Sequence, residues 1–210
     1  MTQAEKFFTK AEKEQIAATI GEVEKHTSGE VVAMVVAASD TYPEASLLAG
    51  LTIGGLAALL VTDFFLADSL GYFVPLLTCG TIGVASLAKI FPPLLRLFIP
   101  GRRLETRVAE RALRAFYEKK LHTTRDNTWV LFFISLLERK VWILADSGIY
   151  QKIPQDALMA HAADIALGIK QGLACNALCR QIEAVGVILA QHFPIKPDDT
   201  NELSNQVITG

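Results

Sequence analysis

The chain has 210 residues, 51% of them hydrophobic, and a mean hydropathy of +0.33, which indicates about one folded domain together with a membrane segment. Its formal net charge of −2 provides no overall basic field and argues against a nucleic-acid partner. The three cysteines do not indicate a disulfide framework, and the polar N-terminus lacks the apolar core of a signal peptide.

Residues 1–44 predict the first part of an α/β domain. Ile16, Ile20 and Val23 recur at helical spacing with charged residues on the opposite face, which is typical of an amphipathic helix. The continuous run of mainly β-branched residues in Glu30–Ala38 then predicts a strand that is buried on both faces.

Residues 45–99 predict a transmembrane helical hairpin. No charged residue occurs in residues 45–62 or in residues 69–88, and both stretches reach the roughly 17–20 apolar residues that a helical span requires. We expect the first helix over residues 46–65 and the second over residues 70–91, joined by a short turn.

The charges around this hairpin predict its orientation. The short turn carries only acidic residues, whereas basic residues flank the other ends of both helices. Because basic flanks face the cytoplasm, we expect two spans, with the soluble domain and both termini in the cytoplasm. Contact with anionic lipid headgroups is expected of the membrane-proximal arginines Arg96, Arg102, Arg103 and Arg107.

Gly50 and Gly54 form a GxxxG pattern in the first predicted span. Small residues at this spacing allow two helix backbones to approach closely. The favoured interpretation is packing between the two helices of one hairpin. The alternative is a helix face that forms a homo-oligomer.

Residues 100–195 predict the second part of the α/β domain, and residues 196–210 form a polar C-terminal tail that we expect to be loosely ordered. Hydrophobic periodicity predicts a helix over residues 103–121, strands over 129–137 and 141–145, and helices over 154–170 and 173–192. The predicted fold class is therefore α/β, a small mixed β-sheet sandwiched by helices and interrupted by the inserted hairpin.

Glu138, Arg139 and Lys140 separate the two predicted strands of this second part. Both apolar runs are too short to cross a membrane as helices, so a β-hairpin with a charged turn is expected. A solvated turn is the favoured interpretation, and a tip that binds a partner protein is the alternative.

Asp126 precedes the first of these strands and Asp146 follows the second. Antiparallel pairing would place both carboxylates at the same edge of the sheet, where they would supply two oxygen ligands to Ca²⁺ or Mg²⁺, although Ca²⁺ takes about 6–8 ligands. The favoured interpretation is that both side chains cap turns and neighbouring helices. No zinc-protease, nucleophile-elbow, P-loop or dinucleotide motif occurs, so no catalytic residue is predicted.

Three stretches of the chain resemble the TPM domain family: HTSGEVVAMVVAASDTYPEA, TTRDNTWVLFFISLLERKVWILADSGI and NALCRQIEAVGVILAQHFP. The resemblance covers about residues 8–194 outside the hairpin. The residues that correspond to the family pattern are Thr27, Gly29, Glu30, Ile134, Glu138, Arg139, Asp146, Gly148 and Ile149. Many members carry glycine at the position of Asp146.

The resemblance implies an α/β sandwich with a central sheet and two kinds of function. Some plant members of the family are described as acid phosphatases with bound calcium, and other members are accessory or assembly proteins of membrane complexes. The family includes thylakoid-lumen proteins of photosystem II repair and many bacterial membrane proteins. A bacterial inner-membrane location is therefore expected for this chain.

Three functions follow as hypotheses. The favoured one is a membrane-anchored module that binds unidentified membrane or envelope proteins during assembly or upkeep of an envelope complex. The alternative is an acid-phosphatase-like enzyme that uses Ca²⁺ or Mg²⁺ at Asp126 and Asp146. The second alternative is a small oligomeric transport component built from the glycine-rich hairpin.

Overall fold

The structure is a computed structural model that describes residues 2–66, 70–119, 128–195 and 203–210. The chain divides into two compact units, an α/β unit of Met1–Ser39 with Glu105–Gly210 and a hairpin unit of Asp40–Leu104. The predicted α/β class is confirmed, since the described residues form a four-stranded mixed sheet and are otherwise largely helical.

The sheet of the α/β unit contains strands β1 (Glu30–Val36), β2 (Trp129–Ser135), β3 (Lys140–Ala145) and β4 (Ile208–Thr209) in the order β3-β2-β1-β4. Strand β1 runs parallel to both β2 and β4, and β2 pairs with β3 in the antiparallel direction. All residues of β1 and β2 are buried, because their β-branched and aromatic side chains are covered on both faces.

Helices cover both faces of this sheet. Helices α2 (Lys10–Glu24), α9 (Gln155–Lys170) and α10 (Ala174–His192) form one core with the β1 residues Val31 and Val35. The alternate β1 residues point to the other face and pack with Val108, Ala112, Ala115 and Phe116 of helix α7 (Gly101–Glu118). The short helices α1 (Gln3–Phe7) and α8 (Ser147–Tyr150) complete the unit.

The C-terminal residues of the chain extend the sheet. Met34 and Val35 of β1 pair with Ile208 and Thr209, and the backbone N–H of Gly210 donates to the Val35 carbonyl at 3.1 Å. The expectation of a loosely ordered tail is therefore wrong for these residues. A strand of two residues has no periodic pattern from which it could be predicted.

The hairpin unit contains two long apolar helical segments. The first runs through α3 (Pro43–Ala49), a π-helical turn (Gly50–Gly54) and α4 (Gly55–Phe65). The second is α5 (Leu70–Ile90), which is followed by the short helix α6 (Pro92–Leu97). Pro43–Phe65, with mean hydropathy 2.0, and Gly71–Ile90, with mean hydropathy 1.6, are long and apolar enough to cross a membrane by length and composition.

Candidate functional site

The strands β1 and β2 end side by side, and a cluster of polar side chains occupies this end of the sheet. Val36 and Ser135 are paired at the last position of the two strands. The turn between β2 and β3 then folds back over the strand ends, with its Leu136 and Leu137 amides donating to the carbonyls of Val36 (3.1 Å) and Ala37 (3.0 Å). These backbone bonds place the turn directly beside the segment that leaves β1.

Glu138 is the central side chain of this cluster and is 0% exposed. One of its carboxylate oxygens accepts a hydrogen bond from the Ser39 backbone N–H at 2.9 Å, and the other accepts one from the Ser135 hydroxyl. The Ser39 hydroxyl in turn donates to Ser135 Oγ at 2.8 Å. The carboxylate therefore joins the segment that follows β1 to the turn between β2 and β3.

The expectation of a solvated turn is thus wrong for Glu138. The turn brings this residue inward, where the carboxylate satisfies polar groups that the strands leave at their ends. Of the two residues that follow it, Arg139 is exposed and Lys140 is half-buried. A partner-binding tip therefore stays a prediction for Arg139 and Lys140 alone.

Arg139 and Lys140 differ in their solvent exposure and in their contacts. Arg139 is exposed and adopts a left-handed backbone conformation with φ 52°, and its amide closes the turn on the Leu136 carbonyl at 3.2 Å. Lys140 Nζ forms an ion pair with Glu105 at 2.7 Å, and this contact lowers the pKa of the Glu105 carboxyl. The ion pair holds Lys140 against α7, so that Arg139 is the one exposed residue among Glu138, Arg139 and Lys140.

Asp146 lies at the opposite end of the sheet, where β3 ends beside the start of β2. Its backbone N–H donates to the Trp129 carbonyl at 3.1 Å. Its side chain caps α8 by accepting from the backbone N–H of Ser147 and from the Ser147 hydroxyl at 3.0 Å. Capping is therefore the observed role of Asp146.

The predicted metal pair lies only partly within the described residues. Asp126 lies outside the described residues, and one Asp146 oxygen already accepts two hydrogen bonds from Ser147. Within the described residues, no group of three or more His, Cys, Asp or Glu side chains is arranged to hold a metal ion. A Ca²⁺ or Mg²⁺ site formed by Asp126 and Asp146 therefore stays a prediction.

In the hairpin unit, Gly50 and Gly54 lie at the contact between the two long helical segments. A Cβ atom at Gly50 would lie 2.5 Å from the Thr81 carbonyl oxygen, and one at Gly54 would lie 2.5 Å from the Gly80 carbonyl carbon. The two helices are therefore in backbone contact, which corresponds to the packing within one hairpin that was the favoured interpretation.

The four predicted membrane-proximal arginines occupy different surroundings. Arg96 is half-buried in α6 and Arg102 is exposed in the first turn of α7. Arg103 pairs with Glu44 at 2.6 Å inside the hairpin unit, and Arg107 pairs with Glu110 at 2.8 Å inside the α/β unit. Contact of these arginines with lipid headgroups stays a prediction.

Comparison with known proteins adds information on the fold. No family model matches the chain, and no curated protein matches it. Among solved structures, it is similar to the NMR structure of the BA42 protein from the psychrophilic bacterium Bizionia argentinensis sp. nov., with a TM-score of 0.62 and 23% sequence identity over 100% of both chains. At this identity the likeness concerns the fold alone.

Ser39 and Ser135 were not predicted from the sequence as partners of Glu138. The available signal was local: Ser135 and Glu138 are three residues apart at the end of a continuous apolar run. Ser39 is 96 residues from Ser135 in the chain, and only the parallel pairing of β1 with β2 brings the two hydroxyls together. Such a pairing has no signature in the spacing of the residues.

Proposed function

We propose that this protein is a membrane-anchored module whose α/β unit, TPM-like in character, binds other proteins during assembly or upkeep of an envelope complex at the bacterial inner membrane. The observation that carries the anchoring is the outward apolar surface of the hairpin unit. Large side chains there are strongly exposed, including Leu56 at 60%, Phe65 at 80% and Ile90 at 74%.

This exposed surface continues along both helical segments. Further exposed apolar side chains are Leu47, Leu51, Leu59, Leu60, Phe64, Tyr72, Val74, Ile82 and Phe91. Soluble monomers rarely expose a contiguous apolar patch larger than a few hundred Å². A lipid environment accounts for this surface, because the backbone of each helix satisfies its own hydrogen bonds and most of the large exposed side chains are apolar.

The position of the hairpin in the chain supports an even number of spans. The hairpin unit lies between β1 and β2, which pair along seven residues from Glu30 with Trp129 to Val36 with Ser135. Both flanks of the hairpin return to one sheet, which supports their placement on one side of the membrane. The basic residues that flank the hairpin favour the cytoplasm as that side.

Protein binding by the α/β unit is supported by two features. The TPM family, which the chain resembles, includes accessory proteins of membrane complexes. In addition, Arg139 is exposed on a turn that the buried carboxylate of Glu138 fixes in place. A turn whose backbone is already fixed loses little backbone freedom on binding, so the turn is suited to contact a partner.

Fractionation and reporter fusions test the anchoring and the orientation. We expect the full chain to remain in the membrane pellet after alkaline carbonate extraction. A periplasmically active alkaline phosphatase reporter should be active when fused after Gly71 and inactive when fused after Gly210. Release of the chain into the supernatant would overturn the membrane anchor, and the reverse pattern of reporter activity would overturn the cytoplasmic placement.

A further inference from the structure

Helices α2 and α10 of the α/β unit border an open groove of about 740 Å³. The two helices run in the same direction. Near their N-terminal parts the Cys175 thiol lies 3.8 Å from the Glu12 carbonyl, and further along Gly186 packs against Val23. The groove follows the outer side of this helix pair, away from the sheet.

Small residues give the groove its depth. Ala18, Gly186 and Ala190 lie along it, and a Cβ atom at Gly186 would come within 2.5 Å of a Val23 methyl carbon. Beside them Val187 is 60% exposed. The core under α10 is made by other residues, so these apolar groups are not needed to cover the sheet.

The length of the groove suits a helix. The helical part of its α2 side extends from Gln15 to Val23 with contacts at helical spacing, a rise of about 12 Å at roughly 1.5 Å per residue. A third helix could contact the groove over about two turns along this distance. The axes of packed helices lie about 8–10 Å apart, depending on the side chains at the contact. The small side chains in this groove allow a close approach.

The charges at the groove are acidic. Glu22 on α2 and Glu183 on α10 line opposite sides, and within the described residues no lysine or arginine lines the groove. Lys25, which does not line the groove, forms an ion pair with Glu22 at 2.6 Å. Glu183 has no ion pair in the described part of the chain. The groove therefore offers carboxylate to an incoming cation.

We propose that this groove binds an amphipathic helix of a partner protein, with its apolar side chains on Ala18, Gly186 and Val187 and a lysine or arginine facing Glu183. This inference rests on the proposed binding function and names the surface that performs it. Apolar anchors supply the affinity of such a helix in a groove, and the complementary charge sets its orientation.

The same charges disfavour two other occupants. A symmetric dimer through this groove would place Glu22 and Glu183 of one copy against the same residues of the second copy. An anionic membrane surface would likewise face the carboxylate of Glu183, which has no ion-pair partner in the described part of the chain.

Site-specific photocrosslinking of the full chain in native membranes tests the proposal. A benzophenone amino acid is placed at Val187 in the groove, at Arg139 on the turn, and at Leu167 on α9, which is 54% exposed and lies outside the groove. We expect Val187 to yield a crosslinked segment of a different protein that is helical in pattern and carries lysine or arginine beside its apolar residues. Leu167 should yield none.

Matched substitutions define the contact. Ala18→Trp fills the groove and Glu183→Lys reverses its charge, and each should reduce the Val187 crosslink at least tenfold, whereas Leu167→Trp should leave it unchanged. Circular dichroism and thermal unfolding confirm that each variant is folded. A yield that is equal in Ala18→Trp and the native chain would overturn the proposal, as would a Val187 adduct with lipid, with a second copy or with a segment lacking basic residues.

The three crosslinking positions also separate this inference from the proposed function. Crosslinks to another protein from Arg139 and none from Val187 would overturn the groove as the binding surface and leave the binding module supported. The absence of any crosslink to another protein from all three positions would overturn both.

Discussion

The backbone N–H of Ser39 donates a hydrogen bond of 2.9 Å to the carboxylate of Glu138, although 99 residues separate the two in the chain. Ser39 is the last residue of the α/β unit before the hairpin unit begins. The point at which the chain leaves the sheet is therefore held by a buried carboxylate on the β2–β3 turn, and the stability of the α/β unit depends on that carboxylate.

We predict that Glu138→Ala lowers the free energy of unfolding by about 2 kcal/mol, because the Ser39 amide and the Ser135 hydroxyl would lose a buried acceptor. Glu138→Gln should cost less, since its amide oxygen still accepts one of the two hydrogen bonds. Urea unfolding in detergent micelles, followed by the fluorescence of Trp129 and Trp142, measures the change. An equal loss in both variants would contradict this role of the acceptor.

A second prediction concerns the left-handed backbone of Arg139, with φ 52°. Glycine adopts this conformation without steric cost, so Arg139→Gly should raise the free energy of unfolding by about 0.5–1 kcal/mol. Arg139→Val should lower it by about 1 kcal/mol, because a branched side chain is strained there. The same urea experiment tests both variants, and a stabilising valine would show that the turn does not hold this conformation.

The backbone contact of Gly54 with Gly80 predicts a steric effect in the hairpin unit. Gly54→Ala should destabilise helix packing by about 1–3 kcal/mol, because the added Cβ atom would lie 2.5 Å from the Gly80 carbonyl carbon. Gly83→Ala is the matched control, since its added Cβ would meet nothing within 4 Å. Thermal unfolding in detergent compares the two, and similar shifts in both would argue against close packing at Gly54.

The capping role of Asp146 predicts that Asp146→Ala lowers the free energy of unfolding by about 1 kcal/mol, whereas Asp146→Asn retains an acceptor and changes it little. Adding millimolar CaCl₂ should leave the melting temperature of the native chain unchanged. A calcium-dependent rise that is lost in Asp146→Asn would instead identify this residue as a metal ligand.

The pKa of the Cys175 thiol is raised to about 12, mainly because the thiol is buried and secondarily because the Cys179 thiol lies beside it. We therefore expect Cys175 to remain a thiol and to react slowly with iodoacetamide at mildly alkaline pH, with fast reaction only after unfolding in urea. The folded state holds this proton more tightly, so its contribution to stability is present at neutral pH and is lost as pH rises from the unfolded pKa toward about 12. Mass spectrometry of labelled peptides measures the rate at which Cys175 reacts in the folded and unfolded chain. Rapid labelling of folded Cys175 would contradict it.

The sequence predicts those elements whose burial or exposure follows from the polarity of neighbouring residues. Strands β1 and β2 were predicted from continuous runs of apolar residues, and their predicted ends lie within two residues of the observed ones. The turn after β2 was also predicted, because charged residues interrupt two apolar runs. In each case the information lies in neighbouring residues and requires no knowledge of the tertiary contacts.

Features that depend on distant partners were not predictable in this way. A glutamate in a turn is expected in water, and Glu138 is buried only because two parallel strands end beside it. The groove between α2 and α10 depends on the packing of helices that are far apart in the sequence. The small residues Ala18 and Gly186 give no sign of it until that packing is known.

The pairing of β1 with β4 has a consequence for the order of events during synthesis. About 170 residues lie between Val35 and Thr209, so at translation rates of roughly 5–20 residues per second the edge of β1 leaves the ribosome on the order of ten seconds or more before its last partner. During that interval the unpaired edge is a template for other strands. Shielding of this edge by a chaperone is therefore expected to govern how much of the newly made chain reaches the native state.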